Sequence, residues 1–345
     1  MRGLAALYVA VGHIFTMVDP HMKLRRPGAQ PEWLANLAAP FWYGHLAVAS
    51  FIVISGFCLQ WALEVRSDGR FHDFRRYIVR RCRRILPPYY ACLALSLIVC
   101  WAVTSRQTGL PWAQYVPVTS ENVLAHLFMV HNFSPDWMYK INGVLWSIAI
   151  EFQIYFAFPV FVWIMLRFRP VGLWLSLAAG AALLMTVVPN GAKLYFWYAP
   201  LFGLGMGFAH LTIRRWVGAW PLGLLSGLGL GVSVWAASSL KGQMILADAG
   251  IGLFTACLMA GLVSVPRSPE SQTLSWRPVL FLGTMSYSLY LVHHPLMQVF
   301  HAHRPDWAAS PVRQVAFLMA CLPIILGLCW IFHLVFEKPF LGRKS

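Results

Sequence analysis

The sequence predicts an all-α fold, a polytopic transmembrane helical bundle of about ten spans with both termini in the cytoplasm. Of 345 residues, 59% are hydrophobic and 11% are charged, against about 25% charged in an average soluble domain. The apolar residues come in runs close to the roughly 20 residues that a helix needs to cross hydrocarbon. The alternating segments of about ten residues that mark a membrane β-barrel do not occur.

The spans fall at roughly 3–18, 41–63, 85–104, 144–166, 171–189, 194–213, 220–240, 245–265, 279–301 and 314–336. The first is short, which suggests that residues before Arg2 are missing from its inner end. No small-residue cleavage site follows it, so it reads as a span and not as a removable leader. Orientation follows from Lys and Arg. With the N-terminus inside, nine of the 27 fall in outer segments: Lys23, Arg25, Arg26, Arg106, Lys140, Lys193, Lys241, Arg304 and Arg313. The remaining 18 are inner, among them Arg2 and the eight arginines between 66 and 84. The net charge of +15 is therefore loop charge beside spans, and nucleic acid is not implied. The seven cysteines lie mostly in apolar runs without a CxxC pair, and read as small core residues. No repeat or appended soluble domain is visible, so residues 1–345 read as one membrane domain. The outer loop 105–143, rich in Pro, Trp, Asn and His, is long enough to cover or line a site.

Four groups carry chemistry. Glu151 lies inside the fourth span with no Lys or Arg near it in sequence, and a buried carboxylate must find a cation or a donor. His13 sits eleven residues after Arg2, about 16 Å of helix. Glu151 lies about 10 Å below the outer face, and His13 about 14 Å below it in a core about 30 Å thick. The similar depth predicts a dyad in which Glu151 orients His13, a general base for an alcohol. The alternatives are helix-packing roles for each.

The ninth span carries His293, His294 and Pro295. Adjacent residues point about 100° apart, so one histidine is expected to face the first helix. Pro295 leaves a carbonyl one turn back without its usual donor. A metal site from His13, His293 and Glu151 is not required by the spacing. Arg81 and Arg84 share a helical face in the basic inner loop. They read either as a topology anchor on anionic lipid or, with Arg2, as a clamp for the phosphates of a donor such as coenzyme A. Ser55–Gly56 is a small-residue site, for helix packing or for the passage of an acyl arm. Trp146, Ser147, Gln153, Tyr155, Asn142 and Asn132 are polar or amphipathic groups near the outer end, suited to a sugar-like acceptor.

These residues resemble the acyltransferase family 3 membrane proteins, which include bacterial O-antigen and exopolysaccharide O-acetylases. The likeness covers nearly the whole chain. It rests on Arg2–Leu7 (RGLAAL) with His13, Phe51–Phe57 (FIVISGF), Arg80–Tyr89 (RRCRRILPPY), Leu145–Gln153 (LWSIAIEFQ), Ser286–Pro295 (SYSLYLVHHP) and the ending Glu337–Phe340 (EKPF). The resemblance implies ten membrane helices in a bacterial cytoplasmic membrane. It implies an acyl-CoA co-substrate, usually acetyl-CoA, with no bound cofactor, and transfer to a hydroxyl of a carbohydrate or lipid-linked sugar. Arg2, His13, Arg81, Arg84 and Glu151 match the family's functional positions. Phe152 stands where relatives carry a second acid.

The expected function is thus an integral membrane O-acyltransferase. His13 acts as base, the arginines hold donor phosphates, and His293 or His294 polarises the carbonyl or holds the acceptor. Direct transfer and an acyl-His intermediate both remain open. The alternative is a proton-coupled transporter or flippase using the same buried groups, for which neither an inverted repeat nor a matched pair of broken helices is visible.

Overall fold

The structure is a computed structural model, and it describes residues 1–20, 30–71, 73–109, 111–216, 218–239, 244–264 and 273–341. Lys23, Arg25, Arg26, Lys241, Arg267, Arg343 and Lys344, counted above for orientation, lie outside the described residues, as do span ends 240 and 265. Among the described residues there is no strand. Thirteen α-helices are used below: α1 Arg2–Val18, α2 Glu32–Ala38, α3 Gly44–Ser67, α4 Phe74–Ala102, α5 Ser120–Leu127, α6 Pro135–Met138, α7 Leu145–Val187, α8 Tyr198–Ile213, α9 Ala219–Ser239, α10 Met244–Ser264, α11 Arg277–Thr284, α12 Ser286–Ala302 and α13 Pro311–Phe332.

Among the described residues, six helical segments are long and apolar enough to cross a membrane: Glu32–Ser67, Phe74–Arg106, Leu145–Val187, Pro221–Ser238, Met244–Ser264 and Pro311–Phe340. Large apolar side chains such as Trp101, Trp163 and Leu175 stand exposed along them, as expected where the solvent is lipid. Two of the expected spans, 144–166 and 171–189, run together as the 43-residue α7. The chain breaks inside it at Arg169, whose φ of 63° and ψ of 176° leave the helical region just before Pro170. Proline disfavours helical backbone at the residue before it, so the break falls where the sequence puts the turn. The short α1 and the 16-residue α8 lie where the first and sixth spans were read. The ninth is split into α11 and α12 at Met285.

The described contacts divide the chain into two compact units. The first comprises Met1–Arg2, His45–Ile78 and Ile150–Leu280. Its core is aromatic, with Phe57, Phe158, Tyr198 and Phe202 all fully buried. α3 and α8 approach at backbone distance. A Cβ on Gly56 would meet the Phe202 carbonyl, and one on Gly205 the Val53 carbonyl. Ser55–Gly56 is therefore a packing site on its glycine side, the small-residue contact that membrane helices use.

The second unit comprises Gly3–Gly44, Val79–Ala149 and Phe281–Ser345. Ile14, Phe15, Met17, Tyr89 and Leu289 are buried in it. Its long segment between α4 and α7 is built from short helices. Thr119 and Asn122 form a reciprocal capping box at the start of α5. Tyr89 Oη ties the segment down by donating to the His126 carbonyl at 2.8 Å, and Lys140 Nζ donates to the Val116 carbonyl at 2.8 Å.

Candidate active site

In the first unit the Arg2 guanidinium donates to Ser55 Oγ, midway along the 24-residue α3, and to Glu151 Oε1 at 3.4 Å. Ser55 Oγ donates to the same carboxylate oxygen, and so does Tyr155 Oη, one helical turn further along α7, at 2.5 Å. A cation and two hydroxyls thus compensate a carboxylate taken out of water, which a buried ion pair requires.

The depth count pairs Glu151 with His13, and the clamp reading assigns Arg2 to donor phosphates; the structure adds a partner that neither argument names, an Arg2–Glu151 ion pair. The guanidinium is charged at every accessible pH and presents several donors, whereas an imidazole is largely neutral near pH 7. Depth counted along isolated helices missed how far a long side chain reaches. Tyr155, expected near the acceptor, is engaged with Glu151, and Gln153 is half-buried on α7.

The histidines meet in the second unit. Gly3 lets α1 approach the chain at Leu282 and Gly283, where a Cβ would overlap backbone atoms. One helix thus carries His13 to the histidines of α12. His13 Nδ1 lies 2.9 Å from His293 Nε2, with the rings stacked at 5.1 Å. His293 Nδ1 lies 2.8 Å from the Leu289 carbonyl. A carbonyl can only accept, so His293 Nδ1 carries the hydrogen and its Nε2 is the lone pair. His13 Nδ1–H must then donate to it, which leaves His13 Nε2 as the free basic nitrogen.

His294 also touches His13, edge-on at 5.3 Å, so the expectation that one of the pair faces the first helix is corrected. The His13 ring sits between two side chains that diverge around α12. His294 Nε2 is 2.9 Å from Tyr115 Oη, which accepts from Gln114 Nε2 at 2.6 Å. The assignment with fewest unsatisfied groups has Tyr115 donate to His294 Nε2, so that His294 carries its hydrogen on Nδ1. That Nδ1 has no hydrogen-bond partner among the described residues.

Pro295 removes the donor to the Leu291 carbonyl. Asn142 Nδ2 at 3.2 Å and Cys92 Sγ at 3.1 Å replace it, and α12 runs through the proline unbroken. Ser147 Oγ hydrogen bonds to Tyr290 Oη at 2.7 Å, and the Tyr290 ring lies 6.1 Å from His293. Trp146 and Asn132 are buried, Trp146 against Tyr139 at 6.5 Å. Arg81, half-buried, and Arg84, exposed, lie one turn apart on α4.

Three buried acids escaped the sequence reading as site groups. Glu337 accepts from Ser288 N at 3.2 Å, Ser288 Oγ at 2.5 Å and His333 Nδ1 at 2.9 Å, and so caps the first turn of α12. Glu64 is held by His210 at 2.6 Å and Gln60 at 2.9 Å. Asp248 accepts from Trp197 Nε1 at 2.9 Å. Each is an acid within or beside an apolar run, the same signal that singled out Glu151. Tyr115 carried no signal, being one aromatic residue in a loop of many.

The profile of the acyltransferase family 3, described as "Acyltransferase domain", matches residues 1–334. Acyltransferase MdmB of Streptomyces mycarofaciens is 24% identical over 336 residues, covering 87% of this chain and 82% of that protein. The putative peptidoglycan O-acetyltransferase YrhL of Bacillus subtilis is 28% identical over 290 residues, 74% of this chain and 44% of its own length. The peptidoglycan O-acetyltransferase OatA of Listeria monocytogenes is 25% identical over 316 residues, 80% and 49% respectively. The chain thus spans about half the length of these two peptidoglycan O-acetyltransferases. No solved structure matches. These names favour acyl transfer over the transporter alternative. A helical membrane protein matched by this profile over residues 1–334 belongs to the acyltransferase family 3 and is an acyltransferase.

Proposed function

We propose that the chain moves an acyl group, acetyl in the first instance, from a cytosolic acyl-CoA to a hydroxyl of a carbohydrate or related acceptor. His13 Nε2 serves as general base. The observation that carries this is the hydrogen-bond relay Leu289 O, His293, His13 Nδ1. It selects the His13 tautomer and leaves Nε2 as a lone pair. His293 is a positioning residue, and the unpartnered His294 Nδ1–H is a donor for the acceptor oxygen or the carbonyl that it attacks.

In the step, His13 Nε2 takes the hydroxyl proton while the oxygen bonds to the thioester carbon. The C–S bond then breaks, and the departing thiolate takes the proton back from His13. Arg81 and Arg84 hold the donor's phosphates by charge-assisted hydrogen bonds. Arg2 and Glu151 form a matched ion pair. The O-acetyltransferase names of the relatives support transfer to oxygen, and the excess of inner Lys and Arg supports ten spans with both termini in the cytoplasm of a bacterial cell.

Purified protein supplied with labelled acetyl-CoA and a panel of alcohols tests this. His13→Ala should lose about 10²- to 10⁴-fold in transfer at an unchanged unfolding temperature. Full transfer by a folded His13→Ala protein removes His13 from the mechanism. Arg81→Ala with Arg84→Ala should raise the KM for acetyl-CoA, and an unchanged KM dismisses the phosphate clamp.

A further inference from the structure

His294, Gln298 and His301 recur at i, i+4 and i+7 on α12, one face of the helix. They are 3%, 0% and 4% exposed. Four of their polar atoms make no hydrogen bond among the described residues: His294 Nδ1, Gln298 Oε1, Gln298 Nε2 and His301 Nδ1. Buried polar groups are nearly always paired, and leaving one unpaired is costly. Four in one row on one helix face is a surface prepared for a polar guest.

The chemistry of the row narrows the guest. His294 offers a donor, as derived above. Gln298 offers an acceptor and a donor. His301 Nε2 lies 3.1 Å from Gln314 Oε1. Gln314 Nε2 is committed to the Ala309 carbonyl at 2.9 Å, which confirms Oε1 as the acceptor. His301 Nε2 therefore carries the hydrogen, and its Nδ1 offers an acceptor. Along about 10 Å of helix the row thus runs donor, acceptor with donor, acceptor, and none of the three side chains carries a fixed charge. An oxyanion meets lone pairs at Gln298 Oε1 and His301 Nδ1. A cation meets hydrogens at His294 and Gln298 Nε2. Hydroxyl groups, which donate and accept at once, satisfy all four atoms.

The segment between α4 and α7 closes both ends of the row. Tyr115 hydrogen bonds to His294, and the Trp112 ring stacks on His301 at 5.4 Å. Arg304, next to the outer end, is committed to the His301 carbonyl at 2.9 Å.

We infer that the His294–Gln298–His301 row is a subsite for a neutral, polyhydroxylated ligand, held by its hydroxyls along α12 with its inner end beside His13. In assigning that ligand as the acceptor, the inference rests on the acyl-transfer reading. The binding itself does not.

The test uses full-length protein in nanodiscs with two probes, the β-1,4 disaccharide of N-acetylglucosamine and propan-1-ol. Gln298→Leu removes the central donor and acceptor without adding charge. The disaccharide should raise the unfolding temperature of the wild type and not that of Gln298→Leu. In acetyl transfer, Gln298→Leu should raise the disaccharide KM about ten- to a hundredfold, the weight of two hydrogen bonds, a rise that propan-1-ol, too short to reach along the row, should not show. Without ligand, Gln298→Leu should unfold at the wild-type temperature or above, because it relieves an unpaired amide. Gln298→Met serves as the second variant if leucine does not fold. Disaccharide binding to the wild type without acetyl transfer keeps the subsite and overturns the acyl-transfer reading. Equal protection of wild type and variant, or no protection of the wild type, overturns the subsite.

Discussion

His13 Nδ1 and His293 Nε2 stand 2.9 Å apart, and His293 has no second hydrogen to give because its Nδ1–H is held by Leu289. One imidazole thus fixes the tautomer of the other, the task that a carboxylate performs in a Ser-His-Asp triad. A neutral acceptor does so without placing a full charge beside the base.

This predicts an asymmetry between the two histidines. His293→Ala should keep His13 in place and lose its tautomer, lowering the turnover number about 10- to 100-fold with little change in the KM for acetyl-CoA. His293→Gln, whose amide oxygen accepts, should recover part of the rate. Steady-state kinetics of the three proteins decide it, and equal rates for alanine and glutamine rule out the tautomer role.

Arg2 and Glu151 should be worth more together than apart. Removing one leaves the other buried and unpaired, so Glu151→Gln and Arg2→Gln should each destabilise the protein by about 2 kcal/mol, below the 3–5 of a fully buried pair because Arg2 is partly exposed. The double variant should cost less than the sum. Unfolding temperatures in a double-mutant cycle measure the coupling, and strict additivity shows that the pair is not one unit.

Asn142 stands in for the hydrogen bond that Pro295 removes. Asn142→Ala should cost about 1 kcal/mol, because the buried Leu291 carbonyl loses its amide donor and keeps only the weak Cys92 Sγ donor. Pro295→Ala restores the helical N–H to Leu291, so the Asn142→Ala penalty should shrink in that background. A penalty of the same size in both backgrounds places the role of Asn142 elsewhere.

Acid should weaken the segment between α4 and α7. His126 and His131 stack at 3.8 Å, and His126 Nδ1 lies 2.7 Å from the Asn122 carbonyl. Burial holds the His126 imidazole down to about 4 from 6.5 and pushes His131 the same way. The unfolded chain therefore binds more protons than the folded one between these values, and stability rises with pH there. It is full above pH 6.5 and falls by about 3 kcal/mol for His126 as the pH drops through about 4. His126→Asn should be less stable than wild type at pH 7, with the gap narrowing toward pH 4. Unfolding temperatures across that range report it, and parallel curves count against the buried neutral ring.

The helices were largely legible because hydropathy is a property of the chain itself. The break in α7 was legible for the same reason, since Arg167, Arg169 and Pro170 interrupt an apolar run. Glu151, His13, His293 and His294 stood out because ionisable groups are rare in such runs. Their partners did not stand out. Arg2 lies 149 residues from Glu151, and His293 lies 280 from His13. No spacing rule reaches that far, and depth counted along isolated helices names neither pair. Tyr115 and Gln298 were silent because an aromatic residue in a loop, or an amide in a helix, acquires meaning only from what it meets or fails to meet.

Glu337 closes the first turn of α12, the helix that bears both His293 and His294. The ribosome makes that helix some fifty residues before it makes its cap. A nascent chain can insert every helix through α13 and still hold a frayed histidine helix. Competence for chemistry then waits until Glu337 has been synthesised, and a chain stopped short of Glu337 would reach the membrane without it.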